Sequence, residues 1–468
     1  MSRSKRISSK LIRGGSKRGL TFSDKSLAEI GMKPGSKYQF IIDKNKGKVL
    51  IKQADDGNTV SRKKVGKSFK PLIDIRSQEV IEQFKQATRL LVEFYDSGII
   101  IISSLDGKGR VNKQTISRLP DHIFDGTTVT GEVCDDFLSR VQAALKTLRV
   151  ISFFSGAGML DYSFVEQGFE VVWANDAMKG AVKTYKENIG NHIVLGDIRD
   201  IDKSTIPSGD VLVAGFPCVA YSNVNRSQTR NEKHDDAFLY REILETARVK
   251  PGLKIIAIEN VAEFLTANDG EFYEEFKVEL EALGFVLSHR VVVDKGYGGF
   301  SDRKRVIIIA SKIGEIQIPE PSHDVSCFRT VGEAFKENIT VGCSNQLDFS
   351  KSRPDTVKRM QYVKPGENWQ AIPEELRSKG KFHNFFRRLS LENQSPTLVN
   401  WRKSVIMTPE ENRILSVREA AAIMGMPPSF SFFGTLAEKQ QQVANGVTKA
   451  IGLLLASTVK DAWMRSCF

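Results

Sequence analysis

Short apolar runs alternate with longer amphipathic stretches from residue 149 onward. The apolar runs are RVISFF, FEVVWA, DVLVAGF, KIIAIEN, RVVV and RVIIIA. Between them, stretches such as HDDAFLYREILETARVK and EFYEEFKVELEALG carry apolar residues at helical spacing. This alternation is typical of a parallel sheet covered by helices. The sequence therefore predicts an α/β domain whose core spans residues 149–315.

A different pattern precedes this domain. Residues 18–52 predict a strand, a short helix, a KPG turn and a hairpin whose strands are KYQFII and KVLIK. Residues 69–103 repeat the order more loosely, with DSG as the turn, which indicates an internal duplication. We predict a mainly β module over residues 1–110. A connector and a helix, DDFLSRVQAALKTL, follow over residues 111–148.

Charge separates the two parts of the chain. The net charge is +12, but residues 1–70 hold 19 Lys and Arg against 5 Asp and Glu, a net +14, which leaves −2 for the rest. A polyanion partner is therefore expected at the first segment, although a solvated basic tail would have the same composition. With 41% hydrophobic and 26% charged residues, the 468-residue chain is expected to be soluble and globular.

The apolar runs and the cysteines argue against a membrane-spanning, secreted, disulfide-rich or metal-binding protein. No run approaches the roughly 20 residues that span a bilayer, and the basic N-terminus lacks the apolar core of a secretory signal. The five cysteines are scattered and form no CxxC pair, which argues against a disulfide framework or a metal site. We therefore expect a cytoplasmic protein with no metal and no membrane partner.

The turn after the first strand of the α/β domain has the features of a cofactor loop. In ISFFSGAGMLDYSF, Gly156 permits a tight turn and Gly158 permits close approach of a ligand. Asp176, which ends the next strand, is placed to bind a ribose. Asp197 and Ile198 follow a third strand and suit an adenine ring. The alternative for each acid is a helix N-cap or a surface carboxylate.

Two further strand ends carry reactive groups. Cys218 follows the run VLVAGF, and Glu259 ends the run KIIAIEN. Open α/β sheets bind ligands at the carboxyl edge of their strands, so a thiol and a carboxyl group should face one cavity there. Alone, Cys218 would as readily be a small buried apolar residue.

At this point the sequence closely resembles the DNA (cytosine-5-)methyltransferases. The matching segments occur in the family's order: FSGAG (154–158), ANDA (174–177), GDI (196–198), GFPC (215–218), ENV (259–261), DRKRVIIIA (302–310), SPTL (395–398), ENRILSVREAAAIMGMP (411–427) and QQVANGV (441–447). The resemblance implies a Rossmann-like methyltransferase domain that uses S-adenosyl-L-methionine. It also assigns cofactor contacts, which fall on Phe154, Ser155, Gly156, Gly158, Met159, Asp176, Ala177, Asp197, Ile198, Pro217, Asn445 and Val447.

The resemblance also implies a mechanism. The Cys218 thiolate would attack carbon 6 of a cytosine flipped out of duplex DNA, and carbon 5 would then take the methyl group. Glu259, kept protonated by an apolar strand environment, would act at the ring nitrogen. Arg303 and Arg305 are the candidates for stabilising the thiolate. Asn445 is expected at a helix start near the methionine part of the cofactor.

Family architecture also divides the remaining chain. It places a small target-recognition region over residues 316–388, where the basic run RSKGKFHNFFRR (377–388) suits DNA contact, and a C-terminal part completing the domain over residues 389–468. In the first module, LAEIGMKPGSKYQF resembles the AbrB-type swapped-hairpin DNA-binding domains. The implied partner is double-stranded DNA, with a cognate restriction endonuclease as a candidate second partner and a nucleoid-associated bacterial location.

Several positions depart from the family pattern. Val219 and Ser301 stand where glutamine is usual, Phe300 and Thr448 where proline is common, and Ala444 where glycine is usual. The lost glutamines would be polar groups near the DNA or the catalytic loop. A DNA-binding regulator on a weakened methyltransferase scaffold is therefore one alternative. A tRNA cytosine-5 methyltransferase of the same superfamily is the other.

Overall fold

The structure is a computed structural model. It describes residues 146–217, 235–377 and 384–467 continuously, and before them the segments 5–9, 11–12, 19–22, 26–29, 32–43, 48–54, 57–65, 68–75, 80, 90–94 and 99–104. The chain divides into two compact units, residues 1–146 with 467–468, and residues 147–466. The helix predicted over DDFLSRVQAAL and the thiol of Cys218 lie outside the described residues.

The described part of the first unit is mainly β. Its elements are β1 (Lys5–Ser9), β2 (Leu11–Ile12), β3 (Gly19–Phe22), α1 (Ser26–Glu29), β4 (Lys37–Asp43), β5 (Lys48–Ala54), β6 (Asn58–Thr59), β7 (Ser61–Val65), β8 (Ser68–Ile75), β9 (Leu90–Phe94) and β10 (Ile99–Ser104). The strands form two antiparallel sheets, with orders β1-β9-β10-β5-β4-β6 and β2-β3-β8-β7.

Strands that occupy equivalent places in the two sequence repeats pair with each other. The first strands, β3 and β8, pair with Leu20 opposite Ile75 and Phe22 opposite Ile73. The second strands of the two hairpins, β5 and β10, also pair, with Ile51 opposite Ile100. Val49 and Ile51 are buried on one face of β5, because alternate side chains of a strand point the same way.

The second unit contains seven strands and ten α-helices among its described residues. They are β11 (Arg149–Phe153), α2 (Met159–Glu166), β12 (Glu170–Asp176), α3 (Lys179–Asn188), β13 (Ile193–Leu195), β14 (Val211–Ala214), α4 (Tyr240–Val249), β15 (Ile255–Asn260), α5 (Glu271–Ala282), β16 (Val286–Val293), β17 (Lys304–Ser311), α6 (Val331–Asn338), α7 (Pro354–Met360), α8 (Trp401–Ser404), α9 (Val417–Ile423), α10 (Leu436–Asn445) and α11 (Lys449–Ser466).

These strands form one sheet in the order β13-β12-β11-β14-β15-β17-β16. The five strands from β11 to β15 are parallel to one another, as the apolar runs predicted. The last strand differs, since β17 is antiparallel to both β15 and β16. The connection between β16 and β17, residues 294–303, is too short for the crossover that parallel strands require. The sheet is therefore mixed, and the start of β17 lies at the carboxyl edge of β15.

Helices cover both faces of this sheet. Phe164 of α2, Tyr185 of α3 and Ile451 of α11 belong to one buried cluster with residues of the strands. Tyr240 of α4 and Phe276 of α5 belong to the cluster on the other face. Strands β14 and β15 are buried at every position because both faces are covered.

A third buried cluster joins the C-terminal part to the glycine loop. It combines Ala157 and Met159 with apolar side chains between residues 331 and 444, such as Trp401 and Phe430. Helix α9 begins at a capping box between Ser416 and Glu419, which agrees with the amphipathic helix predicted there. No helix in the described segments is both long and apolar enough to cross a bilayer.

Candidate active site

The glycine loop joins β11 to α2 through three residues with positive φ. Phe154, Gly156 and Gly158 have φ values of 54°, 54° and 85°. A Cβ at Gly158 would lie 2.9 Å from both Ile189 Cγ1 and Tyr185 Cδ2, so only glycine fits. A Cβ at Gly156 would have no protein atom within 4 Å. The loop therefore packs closely on α3 and leaves open space at Gly156.

Asp176 fixes the loop to the end of β12. The Gly156 amide donates to Asp176 Oδ2 at 2.8 Å, and the Met178 amide donates to Oδ1 at 2.8 Å. Burial raises the pKa of Asp176, and these two hydrogen bonds oppose the rise. Ala177 beside it is exposed. The carboxylate that the sequence assigns to a ribose thus lies next to the open space at Gly156.

Asp197 and Ile198 lie beyond β13. Ile198 is buried, whereas Asp197 caps the short turn Ile198–Asp200 and accepts from Arg199 Nε at 2.9 Å and Nη2 at 2.6 Å. Hydrogen bonds from Arg199 lower the pKa of Asp197. The capping role that the sequence left open is present, and an adenine amino group would share this carboxylate with Arg199.

Glu259 and Arg305 form a close pair at the carboxyl edge of the sheet. Arg305 Nε lies 3.0 Å from Glu259 Oε1, and both side chains are largely buried. They meet because β17 is antiparallel, which places its first residues beside the last residues of β15. The predicted apolar environment of Glu259 is therefore wrong in one respect, since a cation lies against the carboxyl group.

Asn260 connects this edge to the strand end that leads to Cys218. Its side-chain amide donates to the Phe216 carbonyl at 3.2 Å, and its carbonyl oxygen accepts from the Val261 amide at 2.8 Å. Phe216 also contacts the Phe154 ring edge-on, with centroids 6.5 Å apart. The backbone before Pro217 is thus held between the glycine loop and β15. Cys218 and Val219 themselves lie outside the described residues.

A second buried group of polar residues surrounds Asp294 at the end of β16. The Ser301 hydroxyl donates to Asp294 Oδ2 at 2.7 Å and the Ser301 amide donates to the same oxygen at 3.1 Å, while Thr448 and Arg303 are its other polar neighbours. Burial raises the pKa of Asp294, and these neighbours oppose the rise. The glutamine that is usual at this position would be a polar group near the DNA or the catalytic loop; Ser301, which replaces it, is buried and donates to the Asp294 carboxylate.

Arg303 is a neighbour of Asp294 and also contacts the C-terminal helices. Its side chain is buried, and Nη1 donates to the Ala444 carbonyl at 3.3 Å at the end of α10. Arg305 contacts Glu259, whereas Arg303 contacts the C-terminal helices, so the two predicted arginines have different surroundings. Three departures from the family pattern, Ser301, Ala444 and Thr448, thus lie around one carboxylate and one arginine.

The C-terminal cofactor residues are arranged differently from the prediction. Asn445 is the last residue of α10 and is exposed, where it accepts from Gln441 Nε2 at 2.6 Å. The expected helix start is wrong because a capping box at Thr435 begins the helix ten residues earlier. Val447 is buried in the core. A Cβ at Gly446 would collide with the Met159 sulfur, so this segment packs directly on the glycine loop.

One arginine of the predicted DNA-contacting run is structural. Arg388 is buried and donates to the Val363 carbonyl at 2.6 Å, the Met360 carbonyl at 2.9 Å and the Glu411 carbonyl at 2.6 Å. Its expected contact with DNA is therefore wrong. Residues 378–383 of the run lie outside the described residues.

Sequence reasoning missed a buried hydrogen-bond network beneath the glycine loop. Asp161 accepts from Ser152 Oγ at 2.7 Å and from the Tyr185 hydroxyl at 2.8 Å. The available signal was Ser152, a polar residue inside an apolar strand, and Asp161 in the first turn of the next helix. In the described part of the chain, no cluster of three or more His, Cys, Asp or Glu side chains could hold a metal ion.

The central mixed sheet with helices on both faces fits the α/β fold of the methyltransferases. Two solved structures have a similar fold. A prophage-encoded DNA modification methyltransferase of Escherichia coli, with TM-score 0.52 and 18% identity, covers 67% of this chain and 98% of its own. The Entamoeba histolytica methyltransferase EhMeth, with TM-score 0.50 and 17% identity, covers 68% and 98%. At such identities the likeness concerns the fold, and it confirms the predicted α/β methyltransferase architecture.

The sequence profile of the C-5 cytosine-specific DNA methylase family matches residues 148–460. The chain belongs to this family and is a DNA (cytosine-5-)methyltransferase. Among its relatives, the type II methyltransferase M.NgoFVII of Neisseria gonorrhoeae is 28% identical over 329 residues, which are 66% of this chain and 86% of the relative. The type II methyltransferase M1.HphI of Haemophilus parahaemolyticus is 28% identical over 340 residues, 69% and 89% of the respective chains.

Proposed function

We propose that the protein methylates carbon 5 of a cytosine flipped out of duplex DNA, through a covalent bond to Cys218, with S-adenosyl-L-methionine as the methyl donor. The observation that carries this proposal is the Glu259–Arg305 pair. This pair lies at the edge of the sheet where β14 ends, shortly before Cys218. The Asn260–Phe216 hydrogen bond holds the segment before Cys218 at this edge.

The residues around Gly156 suit the nucleoside part of the cofactor. The space there is free of protein atoms, a carboxylate borders it, and Ile198 offers an apolar side chain beyond β13. Asp176 would bind the ribose hydroxyl groups, and Phe154 and Pro217 would flank the cofactor. When bound, S-adenosyl-L-methionine supplies an electrophilic methyl group to the base.

The chain's own residues would make the base reactive. Cytosine carbon 5 is a weak nucleophile, so the Cys218 thiolate would bond to carbon 6 and push an electron pair toward the ring nitrogen. Glu259 and Arg305 present a carboxyl group and a cation side by side, which can stabilise charge developing on that side of the ring. After methylation, loss of the proton from carbon 5 and of the Cys218 sulfur from carbon 6 would restore the aromatic ring.

The target base must leave the helix before this chemistry. A base stacked in a duplex cannot reach the edge of the sheet, so flipping would cost a few kcal/mol, to be recovered by contacts with the pocket. The type II designation of the relatives supports a restriction-modification setting. A cognate endonuclease as partner and the bacterial nucleoid as location are parts of the same proposal.

Methyl transfer from tritiated S-adenosyl-L-methionine tests the activity and its substrate together. We expect label on unmethylated duplex DNA from a methylation-free host, and little on tRNA. Cys218→Ser should abolish transfer while retaining S-adenosylhomocysteine binding. Substrate duplex containing 5-fluorocytosine should remain attached to the wild-type protein under denaturing electrophoresis. Preferential labelling of tRNA would reassign the substrate, and cofactor-independent DNA binding without transfer would leave only a regulator.

We further propose that residues 1–110 form a duplicated AbrB-like DNA-binding module. Pairing of β3 with β8, and of β5 with β10, supports the duplication. Lys33, Lys37 and Lys64 are exposed on this unit, which supports contact with phosphates.

A further inference from the structure

Asp161 is a buried carboxyl group directly below the glycine loop. It lies in the first turn of α2 and is 1% exposed. Ser152 Oγ donates to its Oδ1 at 2.7 Å, and the Tyr185 hydroxyl donates to its Oδ2 at 2.8 Å. Both oxygens therefore accept a hydroxyl proton, which is the arrangement of an ionised carboxylate. No cationic group lies within ion-pair distance of it among the ion pairs of the described residues.

Further hydrogen bonds continue from Ser152 on one side of Asp161 and from Tyr185 on the other. On one side, the Ser155 hydroxyl of the glycine loop lies 2.8 Å from Ser152 Oγ and 3.1 Å from the Ser152 carbonyl. On the other side, the Tyr185 hydroxyl lies 3.0 Å from His192 Nε2. We call these five residues, Ser155, Ser152, Asp161, Tyr185 and His192, the buried chain. It connects the glycine loop to a half-buried imidazole.

A proton on Asp161 would disrupt this order. A protonated carboxyl group must donate through one oxygen, so the hydroxyl group on that side has to stop donating. If the Tyr185 hydroxyl accepts from Asp161 instead of donating to it, the hydroxyl can donate to His192 Nε2 only when that nitrogen carries no proton. If Ser152 reverses, it donates to Ser155 Oγ instead, and the Ser155 hydroxyl keeps only its longer hydrogen bond, to the Ser152 carbonyl at 3.1 Å. Either change alters contacts that hold Ser155 or the ring beneath Gly158.

The titratable groups around Asp161 are few, and its own pKa lies near the range in which cells operate. Burial raises the pKa of Asp161 to about 6, against the opposing hydrogen bonds from Ser152 and Tyr185. Burial also lowers the pKa of His192, although Glu170 opposes this change. Burial and the Asp161 carboxylate raise the pKa of Tyr185, so the phenol keeps its proton.

The loop depends on Tyr185 as well as on Ser155. The Tyr185 ring lies so close to Gly158 that no Cβ would fit between them. We propose that Asp161 is a positioning residue, which holds the glycine loop in its cofactor-binding form through Ser152 and Tyr185 only while its carboxyl group is ionised. Cofactor affinity therefore falls when Asp161 takes up a proton. This inference rests on the proposed cofactor site at the same loop.

The test is calorimetric titration of the full chain with S-adenosylhomocysteine between pH 5.5 and pH 8. If only the ionised form binds, the apparent Kd scales with the inverse of the competent fraction, which predicts about a fourfold loss of affinity from pH 7.5 to pH 5.5. Asp161→Asn keeps the shape but places an NH2 donor at one position, as protonation would. It should bind weakly at every pH, with a flat profile.

Two further variants separate positioning from general stability. Tyr185→Phe keeps the ring against Gly158 but removes one hydrogen bond to the carboxylate, so the midpoint of the profile should move to higher pH. Asp269→Asn changes an exposed aspartate whose left-handed backbone, with φ 52°, asparagine also adopts. This control should keep the wild-type profile. Near-ultraviolet circular dichroism at each pH reports whether the variants are folded.

The outcomes are distinct. A weakened but folded Asp161→Asn variant that retains the wild-type pH slope would overturn the inference, because Asp161 would then be only structural. Equal affinity of that variant and the wild type would overturn it as well. Asp176, whose pKa burial also raises, is present in the variant and cannot cause a slope that the variant loses. A wild-type protein that binds no S-adenosylhomocysteine at any pH would instead overturn the proposed cofactor site and this inference together.

Discussion

At the scale of single residues, buried carboxyl groups organise the second unit. Asp161 lies beneath the glycine loop, Glu259 pairs with Arg305, and Asp294 accepts two hydrogen bonds from Ser301. Removing a charge from water is costly unless hydrogen bonds or an opposite charge replace the solvent. Each of these acids therefore requires its partners.

Substitution of Ser301 measures how much the stability of the protein depends on satisfying the buried Asp294 carboxylate. Ser301→Ala would remove the hydroxyl group that donates to Asp294 at 2.7 Å and leave a buried acceptor with one donor fewer. We expect the free energy of unfolding to fall by about 1–3 kcal/mol. Urea unfolding followed by tryptophan fluorescence measures it, because all four tryptophans lie in residues 147–466.

The matched control for this change is an exposed Ser–Asp pair. Ser326 Oγ donates to Asp324 Oδ1 at 2.5 Å on the surface, where water can replace the hydroxyl group. Ser326→Ala should therefore change the free energy of unfolding by a few tenths of a kcal/mol at most. Equal losses in the two variants would show that the Asp294 group contributes nothing special to stability.

At the scale of elements, the glycine loop between β11 and α2 has two glycines with different surroundings. Gly158 packs against the protein, whereas Gly156 borders the open space proposed for the cofactor. Alanine at either glycine would cost about 1–2 kcal/mol for its positive φ. At Gly158 it would also overlap Tyr185 and Ile189, whereas at Gly156 it would meet only open space. We expect Gly158→Ala to lose the more stability, and Gly156→Ala to lose cofactor affinity beyond its small loss of stability.

Thermal unfolding and S-adenosylhomocysteine titration of both variants check this prediction, each variant serving as the control for the other. Wild-type affinity in Gly156→Ala would show that the open space is not occupied by the cofactor.

The same elements show what the sequence could and could not predict. Continuous apolar runs predicted the parallel strands β11 to β15, and the glycines predicted the loop at the edge. The reversal of β17 was not predicted, because an apolar run has no direction; only the short connection through residues 294–303 indicates it. That reversal brings Arg305 to Glu259, so the missed feature of topology is also the one that builds the site.

Residues of mixed chemical character were the hardest to place. Arg388 and Asn445 were both assigned to ligands, yet Arg388 is buried among backbone carbonyls and Asn445 ends a helix. An arginine in a basic run has the same sequence context whether it contacts phosphate or caps carbonyl groups, because both partners are oxygen acceptors. The distinction depends on burial, which is set by helices distant in the sequence.

At the scale of the whole molecule, charge is divided between the two units. The basic excess belongs to the first 70 residues. There, the turn at residues 33–37 lies beside Val60, with the Gly35 amide donating to the Val60 carbonyl at 2.8 Å, and Lys37 Nζ donates to Thr59 Oγ1 at 2.8 Å. Since β7 begins at Ser61, Lys33, Lys37 and Lys64 are exposed on adjoining segments of this unit.

This arrangement predicts the salt dependence of DNA binding. Neutralising Lys33, Lys37 and Lys64 to glutamine should remove up to three phosphate contacts, and each contact accounts for a slope of about 0.9 in log affinity against log salt. The full-length triple variant should therefore show a slope shallower by up to about 2.7. This slope can be measured by fluorescence anisotropy with a labelled duplex. Salt concentrations between about 50 and 300 mM cover the range in which affinity for DNA falls steeply.

A second triple variant controls for net charge. Neutralising Lys186, Lys254 and Lys277 removes the same charge from the second unit. If the lysines of the first unit bind phosphate locally, only their variant changes the slope, because counterion release depends on the contacts made rather than on total charge. Methyl transfer at saturating DNA should persist in both variants, since Glu259 and Arg305 are unchanged. Identical slopes in the two variants would place the DNA-contacting charge elsewhere and leave Lys64, on the edge strand β7, as protection against edge-to-edge pairing.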